Sequence, residues 1–167
     1  MMQRSFKEEI KDEKTKKEMT KEFIDFYSKN IDRNSVPIKG AIDFFNWAKN
    51  KNISMAVCTN KQERLAIDLL KKLDLLKFFE FVAGSDTFAF NKPDPRHLTD
   101  VVEIIGGDLK KTMMIGDSEV DAVSANNAKL PFVLVKDGYT EKTEKEIKHN
   151  ELISDFENFE KIIEKYL

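Results

Sequence analysis

Cysteine is nearly absent: Cys58 is the single one in 167 residues. It can close no internal disulfide and build no Cys-Xaa-Xaa-Cys site, so nothing argues for an oxidising compartment, and a reduced cytoplasm is the simplest expectation. An excess of basic charge is also missing, since 28 Lys and Arg stand against 30 Asp and Glu for a formal charge of -2. Nucleic acid is therefore not the expected partner. No apolar run approaches the roughly 18 residues of a membrane span, and the opening MMQRSFKEEIKDEK lacks the apolar stretch of a signal peptide. A soluble chain with no membrane role is expected. Internal repeats and low-complexity linkers are absent too. What is present is 41% apolar residues in a length that makes one domain the default, enough for a core without disulfide or zinc staples.

Residues 1–35 differ from the rest. Lys11 to Glu18 carries no apolar side chain, whereas Met19, Phe23, Phe26 and Tyr27 follow the spacing of one helical face. The mixed-sign charge around them reads as a solvated helix face. From 36 onward the pattern alternates helix and strand. Ala41, Phe44, Phe45 and Ala48 form a helical stripe, and Ile53–Cys58 reads as a short strand buried on both faces. A helix through Leu65, Leu69 and Leu73 leads to a brief strand at Phe81–Ala83. A helix through Leu98, Val101, Val102 and Ile105 leads to a strand at Thr112–Ile115. A small-residue helix through Ala122 and Ala125 leads to a fourth strand, Phe132–Val135. Ser154 with Glu157 fits a capping box opening a last helix, on which Phe156, Phe159 and Ile163 share a face. Strands without period-2 alternation, separated by helices, predict an α/β fold: a Rossmann-like parallel sheet flanked by helices.

Ligands of such sheets bind outside the carboxyl ends of the strands. The residues that follow the four strands are all polar: Thr59-Asn60-Lys61, Ser85-Asp86, Gly116-Asp117-Ser118 and Asp137-Gly138-Tyr139. Parallel strands bring them to one rim. Thr59 and Asn60, at a strand-to-helix turn, suit a phosphate held by a hydroxyl, an amide and helical N–H groups, although either residue also fits a simple helix cap. Lys92 precedes Pro93-Asp94-Pro95, which holds an ammonium in a fixed place; taken alone it is also what a solvated lysine looks like. Asp117 and Asp121, four apart across the start of a helix, suit a hard cation, and Mg²⁺ is the natural choice. The plainer reading makes Asp117 a cap and Asp121 an ordinary acid in the first turn. A calcium loop fails, because Ala122 stands where glycine is required. His97 and His149 have no sequence partner that would make them ligands or bases, and Cys58 reads as strand filler.

The order VCTNKQE, NKPDP, GDSEVD resembles the haloacid dehalogenase superfamily over residues 36–167, and TNKQE, GSDTF, NKPDPRHL, GDSEVDAVSANNA and DGYT are most similar to its bacterial phosphoglycolate phosphatases. The resemblance implies a haloacid dehalogenase-like core at 36–167, with residues 1–35 as the remnant of a helical cap. It further implies phosphoryl transfer to an aspartate with Mg²⁺ as cofactor and a small phosphorylated acid, 2-phosphoglycolate, as substrate. Thr59 and Asn60 would hold phosphate oxygens, Lys92 would neutralise charge, Asp117 would ligate Mg²⁺, and Asp121 with Ser118 would support the metal shell.

The family's nucleophile lies in an Asp-Xaa-Asp pair at the end of a first strand, central in the sheet. No Asp-Xaa-Asp occurs in this sequence. A core lacking its first strand, inactive by itself because the coding sequence is truncated, is the expectation. The alternative is a non-catalytic phosphate- or metal-binding module that uses the 19–27 helix as a contact surface. A phosphorelay receiver domain is disfavoured, since its acidic cluster precedes the threonine and lysine, the reverse of the order here. Monomer and homodimer are both open.

Overall fold

The computed structural model describes Met19 and residues 35–166. The chain divides into two compact units, Met1–Ser35 and Val36–Leu167. Met19 is helical and half-buried. The rest of the expected helical face (Phe23, Phe26 and Tyr27) and the charge run before it lie outside the described residues.

In the second unit the described residues form five strands and five α-helices in the order α1 (Ala41–Asn50), β1 (Ala56–Cys58), α2 (Glu63–Lys72), β2 (Phe81–Ala83), α3 (Arg96–Ile104), β3 (Met114–Gly116), α4 (Glu119–Asn127), β4 (Phe132–Val135), β5 (Glu151–Ile153) and α5 (Glu160–Ile163). Every strand pair is parallel. The helices lie on both faces of the sheet that holds β4, as alternating side chains show. Val133 and Val135 join Ala41, Phe44 and Ala48 of α1 with Phe156, Phe159 and Ile163 on one side. Phe132 and Leu134 join Leu98 of α3 and Ala122 and Ala125 of α4 on the other. Phe132 and Val133 are wholly inaccessible, and burying each such side chain is worth roughly 1.5–3 kcal/mol. The first face is largely aromatic: Phe44 meets Phe159 edge-on at 4.9 Å and Phe156 at 5.6 Å.

The expected parallel α/β arrangement is present, with the described strands laddered in two groups, β1-β2 and β3-β4-β5. Among the described residues β1 ladders only with β2, and β3 only with β4; both are half-buried along their length, whereas all of β4 is buried. Strand β1 begins at Ala56, not Ile53, because the Ile53 amide closes the end of α1 on Ala48 O at 2.9 Å. Strand β3 begins at Met114, not Thr112, whose hydroxyl donates to Asp108 O at 2.7 Å and so stays with the preceding turn. A fifth strand, β5, was not expected.

The Ser154–Glu157 capping box does not form either. Asp155 Oδ1 accepts the Glu157 N–H at 2.9 Å, and the Phe156 amide donates to Lys39 O at 2.9 Å. This ties the segment back to the start of α1, and α5 begins only at Glu160. Phe156, Phe159 and Ile163 nonetheless reach the same core.

Candidate active site

Lys92 stands at the centre of the strand-end rim. Its ammonium donates to Cys58 O, the last carbonyl of β1, at 2.6 Å, and to Asp121 Oδ1, in the first turn of α4 beyond β3, also at 2.6 Å. One cation therefore bridges the ends of the two sheets. The pair is buried, with side-chain exposures of 9% and 8%. An ammonium has three N–H donors, so one is left for a further acceptor.

Asp121 is held at both oxygens. Its Oδ2 accepts from Ser118 Oγ at 2.8 Å and from the Asp117 amide at 3.2 Å, while Ser118 Oγ caps α4 by accepting the Asp121 N–H at 3.3 Å. Such crowding needs a residue without a side chain beneath it: a Cβ on Gly116 would lie 2.6 Å from the Asp121 Cβ. Gly138 performs the same service for Asp117, since a Cβ there would lie 2.2 Å from Asp117 O. Asp117 Oδ2 accepts one long bond, from the Tyr139 amide at 3.3 Å. Of the two aspartates, Asp117 is the one with coordination capacity to spare.

Thr59 and Asn60 do not cap α2. The first amide of that helix, Glu63 N–H, is taken at 2.8 Å by Asp86 Oδ1, so Asp86 serves the helix and not the rim. Thr59 Oγ1 accepts the Lys61 N–H at 3.1 Å, which leaves its own hydroxyl hydrogen to donate elsewhere. Asn60 Nδ2 donates to Lys92 O at 2.8 Å, a bond not foreseen from spacing. Thr59, Lys92 and Asp117 are thus joined through one continuous set of contacts: Cys58 O beside Thr59, the Lys92 ammonium, the Asp121 carboxylate and the Asp117 amide. Beside Asp117 a cavity of about 490 Å³ opens, walled by Leu134, Lys136, Gly138, Thr140 and Lys142 among others.

Cys58 is no nucleophile here. Burial pushes its thiol up to about 12, and its Sγ–H donates to His97 O at 3.3 Å. His97, by contrast, gains partners that sequence reading could not supply. It is completely buried, with Nδ1 3.2 Å from the Lys92 amide and Nε2 3.1 Å from Gly84 O. Its helical position beside the Pro turn was visible, but its contact with Gly84 depends on tertiary packing.

A metal would find hard oxygen donors but few of them. Among the described residues no three His, Cys, Asp or Glu side chains cluster to hold an ion. A single carboxylate at Asp117 still fits Mg²⁺, which binds proteins through one or two carboxylates and keeps water and substrate oxygens for the rest. No helix among the described residues is long and apolar enough to cross a membrane.

Residues 1–135 match the haloacid dehalogenase-like hydrolase family model. The chain is 40% identical over 139 residues to a phosphoglycolate phosphatase of Mesorhizobium japonicum, covering 83% of this chain and 61% of that protein. It is 39% identical over 148 residues to the phosphoglycolate phosphatase of Agrobacterium fabrum, covering 86% and 64%. The chain therefore spans less than two thirds of the length of these relatives. Among solved structures, a predicted phosphoglycolate phosphatase from Haemophilus somnus superposes with a TM-score of 0.87 at 22% identity, over 95% of this chain and 71% of that one. A haloacid dehalogenase-superfamily hydrolase from Ehrlichia chaffeensis gives a TM-score of 0.65 at 21% identity, over 98% and 83%. At these identities the structural likeness speaks for the fold alone.

Proposed function

The chain belongs to the haloacid dehalogenase-like hydrolase family, and from that footing we propose that its rim is the phosphate-binding part of a cytoplasmic, Mg²⁺-dependent phosphatase site for a small phosphorylated acid, 2-phosphoglycolate. One observation carries the reading: a buried ammonium, Lys92, bridges Cys58 O and Asp121 Oδ1 with one donor left over. Two 40%-class relatives named as phosphoglycolate phosphatases supply the substrate.

In this reading Thr59 donates its hydroxyl to one phosphate oxygen, and Asn60 gives its second amide hydrogen to another. Lys92 offers its remaining N–H and its charge. Donors fixed in advance stabilise the negative charge that spreads over the phosphoryl oxygens and need no reorganisation as the reaction proceeds, which is most of what phosphoryl transfer asks of a protein. Asp117 would hold Mg²⁺, and Asp121 with Ser118 would steady Asp117 from behind; the ion, when bound, neutralises charge between phosphate and the attacking carboxylate. The phosphoryl group would pass to an aspartate oxygen as the bond to the glycolate oxygen breaks and that oxygen takes a proton from a neighbouring acid. Water would then cleave the acyl phosphate to release orthophosphate. The sequence has no Asp-Xaa-Asp, so this reading takes the accepting aspartate from polypeptide other than these 167 residues and expects the chain by itself to be inactive.

The experiment has two arms. Orthophosphate binding followed by calorimetry is expected for the chain and lost in Lys92→Met. Turnover of 2-phosphoglycolate with Mg²⁺ is expected only once a segment carrying Asp-Xaa-Asp is joined upstream. Equal phosphate binding by wild type and Lys92→Met, or no turnover in the extended protein, overturns the reading. The missing motif favours a second reading, a non-catalytic phosphate-binding module, which predicts a stable oligomer whose phosphate binding persists and whose inactivity the added segment does not cure.

A further inference from the structure

Lys92 is gripped at both ends. Its ammonium is held by Cys58 O and Asp121 Oδ1, its carbonyl by Asn60 Nδ2 at 2.8 Å, and its amide N–H by His97 Nδ1 at 3.2 Å. The two backbone contacts matter because a lysine side chain has four flexible bonds: fixing the head does not fix the root. His97 is completely buried, so no water can stand in for Nδ1 as acceptor.

The chemistry of its neighbours settles the proton. Gly84 O, 3.1 Å from Nε2, can only accept, and the Lys92 amide can only donate. The imidazole must therefore be neutral, with its hydrogen on Nε2. Burial and the nearby Lys92 charge both act against protonation, and Phe88 packs edge-on against the ring at 5.7 Å. The His97 carbonyl also receives the Cys58 Sγ–H. A single residue thus touches the end of β1, the stretch just beyond β2 and the amide of Lys92, yet it reaches no atom that would meet a substrate.

We infer that His97 is a positioning residue for Lys92: its neutral imidazole, locked as the Nε2–H tautomer by Gly84 O, fixes the backbone from which the phosphate-binding ammonium projects. This rests on the reading of Lys92 given above. Supporting hydrogen bonds of this kind tune the groups they orient without touching the ligand.

Three substitutions and one spectrum test it. In His97→Asn the side-chain oxygen can replace Nδ1 as acceptor; in His97→Gln the amide can replace the Nε2 donor but leaves the Lys92 N–H unpaired. Orthophosphate affinity is expected to stay within about twofold of wild type in His97→Asn and to fall roughly tenfold in His97→Gln, the worth of one buried hydrogen bond. Lys92→Met, the third, is the reference for complete loss. Equal affinities for His97→Asn and His97→Gln overturn the positioning role, whereas unchanged binding in Lys92→Met overturns the reading of Lys92 itself. The spectrum needs no variant to fold: ¹H–¹⁵N correlation of the wild-type imidazole is expected to show the neutral Nε2–H form. An Nδ1–H tautomer or a charged ring at neutral pH, either of which leaves Nδ1 unable to accept, overturns the inference.

Discussion

Asp121 divides its carboxylate between two tasks, Oδ1 pairing with Lys92 Nζ at 2.6 Å and Oδ2 accepting from Ser118 Oγ and the Asp117 amide. The acid that sequence spacing suggested as half of a cation site is thus committed to holding the other rim residues in place. Its negative charge also allows the Lys92 ammonium to remain buried.

Removing that charge tests how far the pair matters. Asp121→Ala leaves a buried ammonium unpaired and is expected to destabilise the fold by about 3–5 kcal/mol, while replacing both partners with apolar residues, Lys92→Met with Asp121→Leu, is expected to recover much of it. Urea denaturation of the single and double variants measures this. A double variant no more stable than Asp121→Ala would count against the pair as the source of the loss.

Gly138 and Gly116 should tolerate nothing larger. An alanine Cβ at 138 would sit 2.2 Å from Asp117 O, and at 116 2.6 Å from the Asp121 Cβ, so each substitution is expected to cost at least about 1–3 kcal/mol as the acidic loop shifts. Thermal midpoints report the cost, and the Asp117 amide resonance reports the shift. Wild-type midpoints for both variants would show that the loop yields freely.

The pH dependence has a definite sign. Burial first, and the charge of Lys92 second, hold His97 below its ordinary 6.5 in the folded chain, against the opposing pull of the Gly84 O hydrogen bond and then of Asp100 and Asp94. Below 6.5 the unfolded chain binds a proton that the folded one resists, so the stability His97 contributes is complete above that pH and is lost as the pH falls toward the lowered folded value. His97→Asn is expected to flatten this part of the profile. Urea midpoints for both proteins on either side of pH 6.5 provide the comparison, and parallel profiles would be the contrary result.

Cys58 should be inert until the chain unfolds. With its thiol raised from 9.0 to about 12, the thiolate fraction at neutral pH falls by about a thousandfold. Iodoacetamide labelling followed by mass spectrometry is expected to be far slower in buffer than in concentrated urea. Comparable rates would show that the β1 end opens readily.

Much of this was readable from the residues alone, and the failures have physical causes. Short apolar runs at β1, β2, β3 and β4 carried the fold, because strands covered by helices leave a hydrophobic record without alternation, even where, as in β1 and β3, they are only half-buried. Strand β5 left almost none: it has three residues and opens with Glu151, whose carboxylate turns out to Lys165 at 2.9 Å. Thr59, Lys92 and Asp117 were visible through their places after strands and before a Pro turn. The partners that fix them were not, since Asn60 meets the carbonyl of Lys92 across 32 residues and Asp86 caps α2 across 23. His97 shows the limit most clearly. Its spacing placed it near Lys92, but only three-dimensional packing put Gly84 O against its far nitrogen.

The ladders of β1 and β3, each satisfied on one side among the described residues, carry a last consequence. Among the described residues, alternate backbone amides of these two strands meet no neighbouring strand, while β4 is flanked by β3 and β5 and buried along its whole length. In deuterated solvent the outward amides of β1 and β3 should lose their hydrogens long before those of β4. The order of exchange therefore reports the open edges of the two ladders directly, residue by residue, without any ligand present.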